Sequence, residues 1–426
     1  MLDIKLLRED LAGVRQKLQH RGESLIGLEK FQALDQEHRA LLGKVEKMRH
    51  ERKTASLAIA NKRREQEDSS IDEKNVRLLG EEIKEYEEQL REQATRLNDL
   101  LLALPNIPAP DVPIGESAAD NVVVEEVDSE KRPGYPVLPH WEVAQNLGIL
   151  DFQRASAVAG ARFVFYCGPG ALLERALKNF MLDLHTKEHG YTEIFVPFLV
   201  NEASMYGTGQ LPKFGEDVFK LADQGLYLIP TAETPLTNYH RGEILAASEL
   251  PKKYVSYSSC FRSEAGAAGR DTRGLIRLHQ FQKVELLKLV TKEQAEEEYQ
   301  KLLKDAERVL RLLKLPYRRL LMCTGDLGFQ AQKKYDLEVW MPAKQAYCEI
   351  SSCSHFGDFQ ARRANIRYRS EAQSKPKYLH TINGSGLALG RTVAAILENY
   401  QEPDGSVRVP DCLRAYMGGL DVMKSH

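Results

Sequence analysis

The sequence predicts an α+β protein in which an N-terminal antiparallel coiled-coil arm precedes a globular domain of antiparallel sheet and packed helices. Three observations support this prediction. Two long stripes with helical spacing occupy residues 29–97, and nearly everything between their apolar positions is charged. A proline-rich segment follows at residues 104–113. Beyond it, strand-like runs joined by turns are separated by few helical stretches, which is typical of a sheet with helices packed on it.

The arm is predicted from two series of positions spaced by three and four residues, which follow a short amphipathic helix over residues 2–20. The first series contains Phe31, Leu34, His38, Leu41, Val45, Met48, Arg52 and Ala55, and the second contains Val76, Leu79, Ile83, Tyr86, Leu90 and Leu97. A polar break at residues 67–72 separates the two series. Two such helices bury their seams against each other as an antiparallel hairpin, each roughly 45–60 Å long at 1.5 Å per residue.

Positive charge is concentrated on the distal half of the first long helix. The cationic residues there are Lys47, Arg49, Arg52, Lys53, Lys62, Arg63 and Arg64, whereas the second helix is rich in glutamate. Two interpretations stay open from the residues alone. The charges form ordinary flank pairs between the helices of the coil, or they form a basic face that binds phosphates away from the globular domain.

Four prolines within residues 104–113 cannot continue a helix, so residues 104–120 are predicted to be a stiff linker at a domain boundary. We therefore predict a helical arm over residues 1–103 and a globular domain over residues 121–426. In that domain the predicted strands are 163–166, 191–200, 227–230, 254–261, 281–290 and 337–341. The predicted helices are 171–189, 293–313 and 387–400, and a glycine-rich turn is predicted at 383–386.

The stretch from Cys260 to Glu285 combines two strand-like runs with a basic, glycine-rich connection. The first run ends at Phe261 and the second begins at Phe281, which predicts a long hairpin. The connection contains Gly266, Gly269, Arg270, Arg273, Gly274 and Arg277. Because burying charge is costly without a partner or ligand, charged residues on adjacent strands suggest a site for a ligand with both anionic and cationic groups. A solvated charged hairpin is the alternative interpretation.

Composition argues against several classes of protein. The 59 Lys and Arg residues nearly balance the 61 Asp and Glu residues, so net charge does not indicate a nucleic-acid binder. The six cysteines include no C-x-x-C pair, which argues against a zinc site and against a disulfide framework. No apolar run is long enough to span a bilayer, and the N terminus has no signal-peptide pattern. We therefore expect a cytoplasmic protein without zinc and without membrane association.

Four short motifs occur in order along the globular part of the chain. They are Thr231-Ala-Glu233, Phe261-Arg-Ser-Glu264, Glu349-Ile-Ser-Ser352 and Asn383-Gly-Ser-Gly-Leu-Ala-Leu-Gly-Arg391. Together with the arm they resemble the bacterial-type seryl-tRNA synthetases, which are class II aminoacyl-tRNA synthetases, over essentially the whole chain. The resemblance implies a class II catalytic domain with a six- or seven-stranded antiparallel sheet. It also implies a homodimer and ATP-dependent charging of tRNA(Ser) and tRNA(Sec) with L-serine by way of seryl-adenylate.

The resemblance assigns motif 1, at the dimer interface, to the helix before Tyr191 and the strand through Pro197. It places motif 2 in the hairpin described above and motif 3 in the turn and helix that carry Arg391. The loop over residues 207–215 is similar to the mobile loop that follows motif 1, although its composition alone indicates only a loop.

The resemblance also implies which residues bind ATP. They are Arg262, Ser263, Glu264, Leu278, Phe281, Glu349, Ile350, Ser351, Ser352 and Arg391, of which Arg262, Glu264 and Arg391 are expected to be catalytic. The planar guanidinium of Arg262 suits the serine carboxylate and the α-phosphate together. Neither a P-loop nor a dinucleotide fingerprint occurs, so a nucleotide here must be held by side chains. Glu349 and Ser352 offer the oxygen ligands that Mg²⁺ prefers.

The implied serine pocket must hold an ammonium and a hydroxyl. Its residues are Thr231, Ala232, Glu233, Arg262, Glu285, Asn383 and Ser385. Polar groups built to bind a hydroxyl reject alanine because they are left unpaired. For Glu285 alone, a salt bridge on the strands with Lys283 or Arg277 is the alternative interpretation.

The chain departs from the family pattern at Leu278, Gln282, Cys348 and His355. These departures leave room for a duplicated synthetase that tolerates a serine-like antibiotic. A ligase that charges a carrier protein is a further alternative, and the long arm argues against it. A non-catalytic RNA-binding homologue is a third, and the retained ATP-site residues argue against it.

Overall fold

The computed structural model describes residues 1–22, 25–128, 135–265 and 273–425. The chain forms two compact units, Met1–Gly22 with Pro105–His426, and Glu23–Leu104. We call the first unit the body and the second the arm. The predicted loop residues Gly266, Gly269 and Arg270 lie outside the described residues.

The α-helices are distributed over both units. In chain order they are α1 (Ile4–Glu9), α2 (Leu11–Gln19), α3 (Ile26–Arg64), α4 (Ser70–Ala103), α5 (His140–Asn146), α6 (Phe152–Ala159), α7 (Pro169–Asp183), α8 (Glu202–Thr208), α9 (Glu233–Asn238), α10 (Ala295–Leu312), α11 (Phe359–Ala364) and α12 (Leu389–Asn399). A π-helical turn, Leu184–Glu188, extends α7.

The two arm helices, α3 and α4, run antiparallel, because residues late in α3 pair with residues early in α4. The Lys62 ammonium lies 2.6 Å from the Asp72 carboxylate near the turn, and the Arg49 guanidinium lies 2.6 Å from Glu87 further along. Buried seam residues include Phe31, Leu34, Val45, Met48, Ile83 and Leu97. The predicted antiparallel coiled-coil hairpin is therefore confirmed.

The helix predicted over residues 2–20 is instead two helices, α1 and α2, which meet at Asp10. The backbone of Asp10 is not helical, and its carboxylate accepts a hydrogen bond of 2.9 Å from the Gly13 N–H. Such a carboxylate satisfies a backbone donor of the first turn and starts a new helix. Leu7, Val14 and Leu18 are nevertheless buried, as the amphipathic pattern predicts.

The strands all lie in the body. They are β1 (Val122–Val127), β2 (Leu150–Asp151), β3 (Phe165–Tyr166), β4 (Thr192–Glu193), β5 (Leu199–Asn201), β6 (Leu226–Leu228), β7 (Ile244–Ala246), β8 (Lys252–Phe261), β9 (Gln280–Val290), β10 (Tyr317–Leu321), β11 (Lys333–Met341), β12 (Ala346–Gly357), β13 (Arg367–Arg369), β14 (Lys377–Tyr378), β15 (His380–Ala388), β16 (Val407–Arg408) and β17 (Val422–Met423).

The central sheet of the body has eight described strands in the order β1-β10-β11-β12-β15-β9-β8-β4. Neighbouring strands are antiparallel except that β4 pairs parallel with β8. The resemblance predicted six or seven antiparallel strands, and this strand number was wrong. The sheet also has the short edge strand β4, whose pairing with β8 is parallel. The α+β class and the predicted β8–β9 hairpin are confirmed.

Side-chain alternation along β9 shows how the sheet divides core from cleft. Val284, Leu286 and Val290 lie in a core cluster that also contains buried residues of α7, α10 and α12. Phe281 and Glu285 occupy the other face, as the period of two requires. Helices therefore cover one face of this strand, while the end of its other face is left for a ligand.

The glycine-rich segment predicted as a turn at residues 383–386 is instead the middle of strand β15. A Cβ atom at Gly384 would lie 2.5 Å from the Leu302 side chain of α10. One at Gly386 would lie 2.9 Å from the His185 ring. The glycines therefore permit helices to approach the strand closely, whereas composition alone indicates a turn.

Part of the predicted linker is docked on the body. The Asn106 carboxamide is buried and donates hydrogen bonds to the backbone carbonyls of Gln330 (2.8 Å) and Phe356 (2.7 Å). The body also includes residues 1–22, which the prediction assigned to the arm. The boundaries at residues 103 and 120 stay a prediction.

Candidate active site

A cleft with a volume of about 490 Å³ lies in the body where β8, β9, β11, β12, β15 and α12 meet. Most of the predicted site residues line it. They are Thr231, Glu233, Arg262, Glu264, Leu278, Phe281, Glu285, Glu349, Ile350, Ser352, Asn383, Ser385 and Arg391. Residues from four separate motifs, distant in sequence, thus share one cavity.

Three predicted residues do not line the cleft. The Ser263 hydroxyl donates to the Glu216 carbonyl at 2.6 Å, and the Ser351 hydroxyl donates to the Ser385 carbonyl at 2.7 Å. Ala232 is fully buried in a second core cluster. Ser263 and Ser351 thus brace the walls of the cleft through backbone contacts.

The inner end of the cleft is built around Glu285, which is fully buried. The Thr231 hydroxyl donates to Glu285 Oε2 at 2.8 Å, and the Lys283 ammonium pairs with the same carboxylate. Glu285 Oε1 is buried without a hydrogen-bond partner in the described residues. The salt bridge to Lys283 therefore exists, yet Glu285 keeps one oxygen for a ligand; Arg277 pairs instead with Glu264, at 3.0 Å.

Glu233 is the second carboxylate at this inner end. Burial, and after it the charge of the nearby Glu285 carboxylate, raises the pKa of Glu233 to about 7. The Gln360 amide donates to Glu233 Oε1 at 2.5 Å and in turn accepts from the Thr381 hydroxyl at 2.7 Å. Two carboxylates so close together favour a cationic ligand between them.

Arg262 lies between the inner end and the outer part of the cleft. Its backbone N–H donates to the His279 carbonyl at 3.0 Å, so the β8–β9 hairpin continues past the end of the strands. Its guanidinium lies 5.2 Å from the centre of the Phe281 ring, which holds the planar cation against an aromatic face. The side chain donates to the Pro230 carbonyl at 3.4 Å.

Arg391 projects from the first turn of α12 into the outer part of the cleft. It donates to the Glu349 carbonyl at 2.7 Å, and it lies 3.5 Å from the Glu349 carboxylate. Burial acts to raise the pKa of Glu349, but Arg391 and then Lys334 oppose it and hold the pKa below its ordinary value. Glu349 is therefore ionised at neutral pH and about half of its side chain is exposed to the cleft.

The donors near Glu349 fit a hard divalent cation. Ser352 lies directly across from Asp336 on the neighbouring strand, and Asp336 Oδ1 is buried without a hydrogen-bond partner in the described residues. Burial raises the pKa of Asp336 to about 6. No group of three or more His, Cys, Asp or Glu residues suited to a metal occurs in the described ranges. Oxygens from Glu349 and Ser352 would thus need ligand oxygens to complete a Mg²⁺ shell.

Several lining residues were not predicted from the sequence as part of the site. Lys283 was predicted only as a possible salt-bridge partner, and no motif singles out Lys334. Gln210 and Phe214 come from the loop that composition indicated only as a loop. Alternation along β9 was the available signal for Lys283, since Phe281, Lys283 and Glu285 share a face.

Two family models match the chain. Residues 1–108 match the model "Seryl-tRNA synthetase N-terminal domain", and residues 219–400 match "tRNA synthetase class II core domain (G, H, P, S and T)". A serine--tRNA ligase of Bacillus subtilis is 57% identical over 424 residues, covering 100% of both chains. One of Exiguobacterium sibiricum is 56% identical with the same coverage. The chain belongs to the seryl-tRNA synthetase family.

Solved structures of seryl-tRNA synthetases have the same fold. The enzyme of Pyrococcus horikoshii, complexed with ATP, superposes with a TM-score of 0.95 at 37% identity over 100% of both chains. The cytoplasmic serine-tRNA ligase of Naegleria fowleri, in complex with AMP, has a TM-score of 0.89 at 30% identity, covering 100% of this chain and 99% of that one. Full-length matches that include the arm do not favour a carrier-protein ligase.

Three departures from the seryl-tRNA synthetase pattern lie outside the cleft lining: Gln282, Cys348 and His355. His355 is buried, burial lowers its pKa to about 3, and it contacts Gln332 and His380 instead of the cleft. Leu278 does line the cleft, and its side chain is buried. The departures therefore do not alter the polar groups of this synthetase's site, and a duplicated, antibiotic-tolerant enzyme is not favoured.

The seven cations predicted on the arm fall into two groups. Arg49, Lys62 and Arg63 pair with carboxylates of α4, at 2.6, 2.6 and 2.9 Å. Lys47, Arg52, Lys53 and Arg64 are exposed and form no ion pair in the part of the chain that the structure describes. The flank-pair interpretation is therefore confirmed for Arg49, Lys62 and Arg63, whereas phosphate binding by the other four cations stays a prediction. Among the described residues, no helix combines the length and apolarity needed to cross a membrane.

Proposed function

We propose that this seryl-tRNA synthetase family member activates L-serine with ATP and transfers the serine to the 3′ end of tRNA(Ser) and tRNA(Sec). The observation that carries the proposal is a single cleft that holds the buried carboxylates of Glu233 and Glu285 together with the guanidinium groups of Arg262 and Arg391. An amino acid carries its ammonium group next to a carboxylate that must attack a polyanion. The two buried carboxylates suit the ammonium group of the amino acid, and the two guanidinium groups suit its carboxylate and the phosphates of ATP.

The inner end supplies the partners that serine needs. Glu285 Oε1, which has no partner among the described residues, and the Glu233 carboxylate are placed to accept hydrogen bonds from the substrate ammonium. Ser385 and Asn383 add a hydroxyl and an amide at the same end. Alanine would leave these buried groups unpaired, which is the basis for its rejection.

Arg262 is placed to join the two substrates. Its guanidinium has donors in a planar fork, so it can bind the serine carboxylate and the α-phosphate together and hold them for in-line attack. Phe281 offers an aromatic face for adenine, and Arg391 offers a second guanidinium for the outer phosphates. These residues neutralise and orient the two substrates. The two arginines stabilise the negative charge that develops on the phosphoryl oxygens.

Mg²⁺ fits the oxygen donors of Glu349 and Ser352. When bound, the ion would neutralise negative charge on the phosphate groups of ATP. Glu349 is the protein's part of this arrangement, because Arg391 keeps its carboxylate ionised at neutral pH. Ser352 contributes its hydroxyl from the adjacent part of the same strand.

The experiment that tests the proposed activity is serine-dependent exchange of pyrophosphate into ATP, followed by charging of total tRNA. The proposal requires exchange only when serine is added and charging only of serine acceptors. Exchange that does not depend on any amino acid would contradict it.

We also propose a homodimer. Phe195 is 80% exposed and contacts Phe198, and Leu199 and Tyr239 are further exposed apolar residues. Phe195 and Leu199 flank Pro197 in the segment that resembles motif 1. Light scattering is expected to give twice the 48.2 kDa mass of one chain, and substitution of Phe195 by Asp is expected to lower it.

A cytoplasmic location is part of the same proposal. All six cysteines are free, and Cys260, Cys323 and Cys353 are buried thiols. Free thiols persist in a reducing compartment, which is also where a tRNA-charging enzyme meets its substrates.

A further inference from the structure

His140, at the start of α5, is fully buried and does not line the cleft. Its Nε2 accepts a hydrogen bond of 3.1 Å from the Leu275 N–H, and its Nδ1 lies 2.8 Å from Glu398 Oε1. A backbone N–H can only donate, so Nε2 must be unprotonated. The ring proton therefore resides on Nδ1 and is donated to Glu398.

Glu398 is held firmly enough to anchor this histidine. It is fully buried on α12 and also accepts the backbone N–H of His140 (3.2 Å) and that of Ala343 (3.1 Å). A buried carboxylate is tolerated when several donors satisfy it. Loss of the imidazole would remove one of these donors and leave the Leu275 N–H buried without an acceptor.

Leu275 begins the return of the hairpin connection toward β9, and this return forms one wall of the cleft. Leu275, Ile276 and Leu278 all line the cleft. Arg391, seven residues before Glu398 and so on the same side of α12, donates to the Ile276 carbonyl at 3.4 Å. Helix α12 thus holds two consecutive residues of the wall, the Leu275 N–H through His140 and the Ile276 C=O directly.

Gly274 shows how close the wall comes to the ring. Its φ is +78°, and a Cβ atom there would lie 2.1 Å from His140 Nε2. Glycine both adopts this backbone conformation and leaves room for the imidazole. The close approach makes the position of the wall depend on the position of the ring.

We infer that His140 is a positioning residue for nucleotide recognition, which holds the wall Leu275–Leu278 against the bound ATP. The inference rests on the proposed function and assigns His140 no contact with substrate. The ammonium end of the cleft does not depend on this wall, because Glu233 and Glu285 are held by Gln360 and Thr231. Loss of the His140 imidazole is therefore expected to weaken ATP binding selectively.

The test compares His140→Leu, which removes both hydrogen bonds, with His140→Gln, whose amide can still donate to Glu398 and accept from Leu275. Because the Leu275 N–H would lose its acceptor and the wall would no longer be held in place, His140→Leu should raise the Kd and KM for ATP roughly tenfold. The KM for serine should change less than about twofold, and His140→Gln should restore most of the ATP affinity. The Kd for ATP is measured by calorimetry without serine.

His240→Leu is the matched control. His240 is also a buried histidine that contacts a glutamate, Glu243 at 2.7 Å, and it lies outside the cleft lining. The substitution should leave the Kd for ATP unchanged. Gly274→Ala, which displaces the ring without deleting it, should reproduce the selective loss of ATP affinity if His140→Leu fails to fold.

Unchanged ATP affinity in a folded His140→Leu or Gly274→Ala protein would overturn the inference. Equal losses for ATP and serine, unrescued by His140→Gln, would overturn it as well, because they indicate a structural defect only. Failure of the proposed function is separate: the wild-type protein would then show no serine-dependent exchange, whatever the ATP affinities of the variants.

Discussion

Carboxylate and ammonium side chains lie close together at the inner end of the cleft. Glu233 and Glu285 lie close together at the inner end, and burial makes ionisation of Glu233 unfavourable in the unliganded protein. Lys283 neutralises Glu285 from inside the protein. A substrate ammonium supplies the positive charge that Glu233 lacks, so serine binding relieves an unfavourable arrangement of charges.

Substitution of Arg262 tests the bridge between the two substrates. Arg262→Ala is expected to lower kcat/KM for serine-dependent pyrophosphate exchange by roughly 10²–10³-fold, the effect of removing one preorganised donor to a developing charge. Arg262→Lys should recover only a small part, because an ammonium cannot bind two groups in the planar geometry of a guanidinium. Exchange by Arg262→Ala at the wild-type rate would mean that the site is assigned wrongly. Arg308→Ala, on the surface of α10, is the control.

The pH dependence of serine binding tests Glu233. Its pKa of about 7 means that Glu233 becomes negative as the pH rises from 6 to 8, so the KM for serine should fall over that interval. Glu233→Gln should have a higher KM that no longer falls. Steady-state exchange measured at constant ionic strength distinguishes the two, and a parallel pH dependence in the variant would contradict the assignment.

The raised pKa of Glu233 also predicts that the stability of the unliganded protein depends on pH. Its folded-state pKa, about 7, is raised above the ordinary value of 4.5, so the folded state keeps a proton that the unfolded chain releases. Stability from this group is fully present below pH 4.5 and is lost as the pH rises toward 7. The Tm of the wild type should therefore fall more than that of Glu233→Gln between pH 5 and 7.5.

At the residue scale, the motifs predicted most of the residues that line the cleft. They could not predict which side chains form hydrogen bonds with backbone carbonyl groups instead of facing the cleft. Thirteen predicted residues share the cleft, whereas Ser263 and Ser351 face other carbonyl groups. Lys334 and His140 carry no local motif. Their positions depend on which strand or helix lies beside them, which the sequence of one chain does not specify.

Among the elements, the hairpin β8–β9 and helix α12 do most to position the site. The hairpin and the arm could be predicted because their apolar periodicity is long and regular. Strand β15 could not, because Gly384 serves close packing with α10, and Gly386 with His185 of the π-helical turn, rather than a turn of the chain. The break between α1 and α2 was missed since Asp10 satisfies the pattern of an exposed helical residue and of a cap equally well.

The arm helix α3 gives a prediction about tRNA. We expect the exposed cations Lys47, Arg52, Lys53 and Arg64, which form no ion pair in the described part of the chain, to bind phosphates. Replacing all four by Gln should weaken tRNA binding. The slope of log K against log salt should become shallower by about 0.7–0.9 for each phosphate that is no longer neutralised.

The matched control replaces Arg49, Lys62 and Arg63, which pair with α4, by Gln. This control should change the salt slope less and the thermal stability of the arm more. A larger loss of tRNA binding in the control would reverse the assignment of the two groups.

The whole molecule separates into a body that contains the entire described cleft and an arm with its own seam. Removing residues 29–99 and joining the ends with a short Gly-Ser linker should therefore spare adenylate formation. Aminoacylation of tRNA should be abolished, because the proposed tRNA-binding surface is gone. Pyrophosphate exchange and tRNA charging, measured on the same preparation, give the two readouts, and charging at the full-length rate would refute the proposed role of the arm.

The central claim is that one cleft recognises serine by its ammonium and hydroxyl and joins it to ATP. The most direct measurement is pyrophosphate exchange with serine, threonine, alanine and cysteine under identical conditions. We expect exchange with serine and a kcat/KM for alanine that is lower by roughly 10⁴-fold or more, since alanine leaves buried polar groups unpaired. Exchange with alanine within about tenfold of that with serine would contradict the claim.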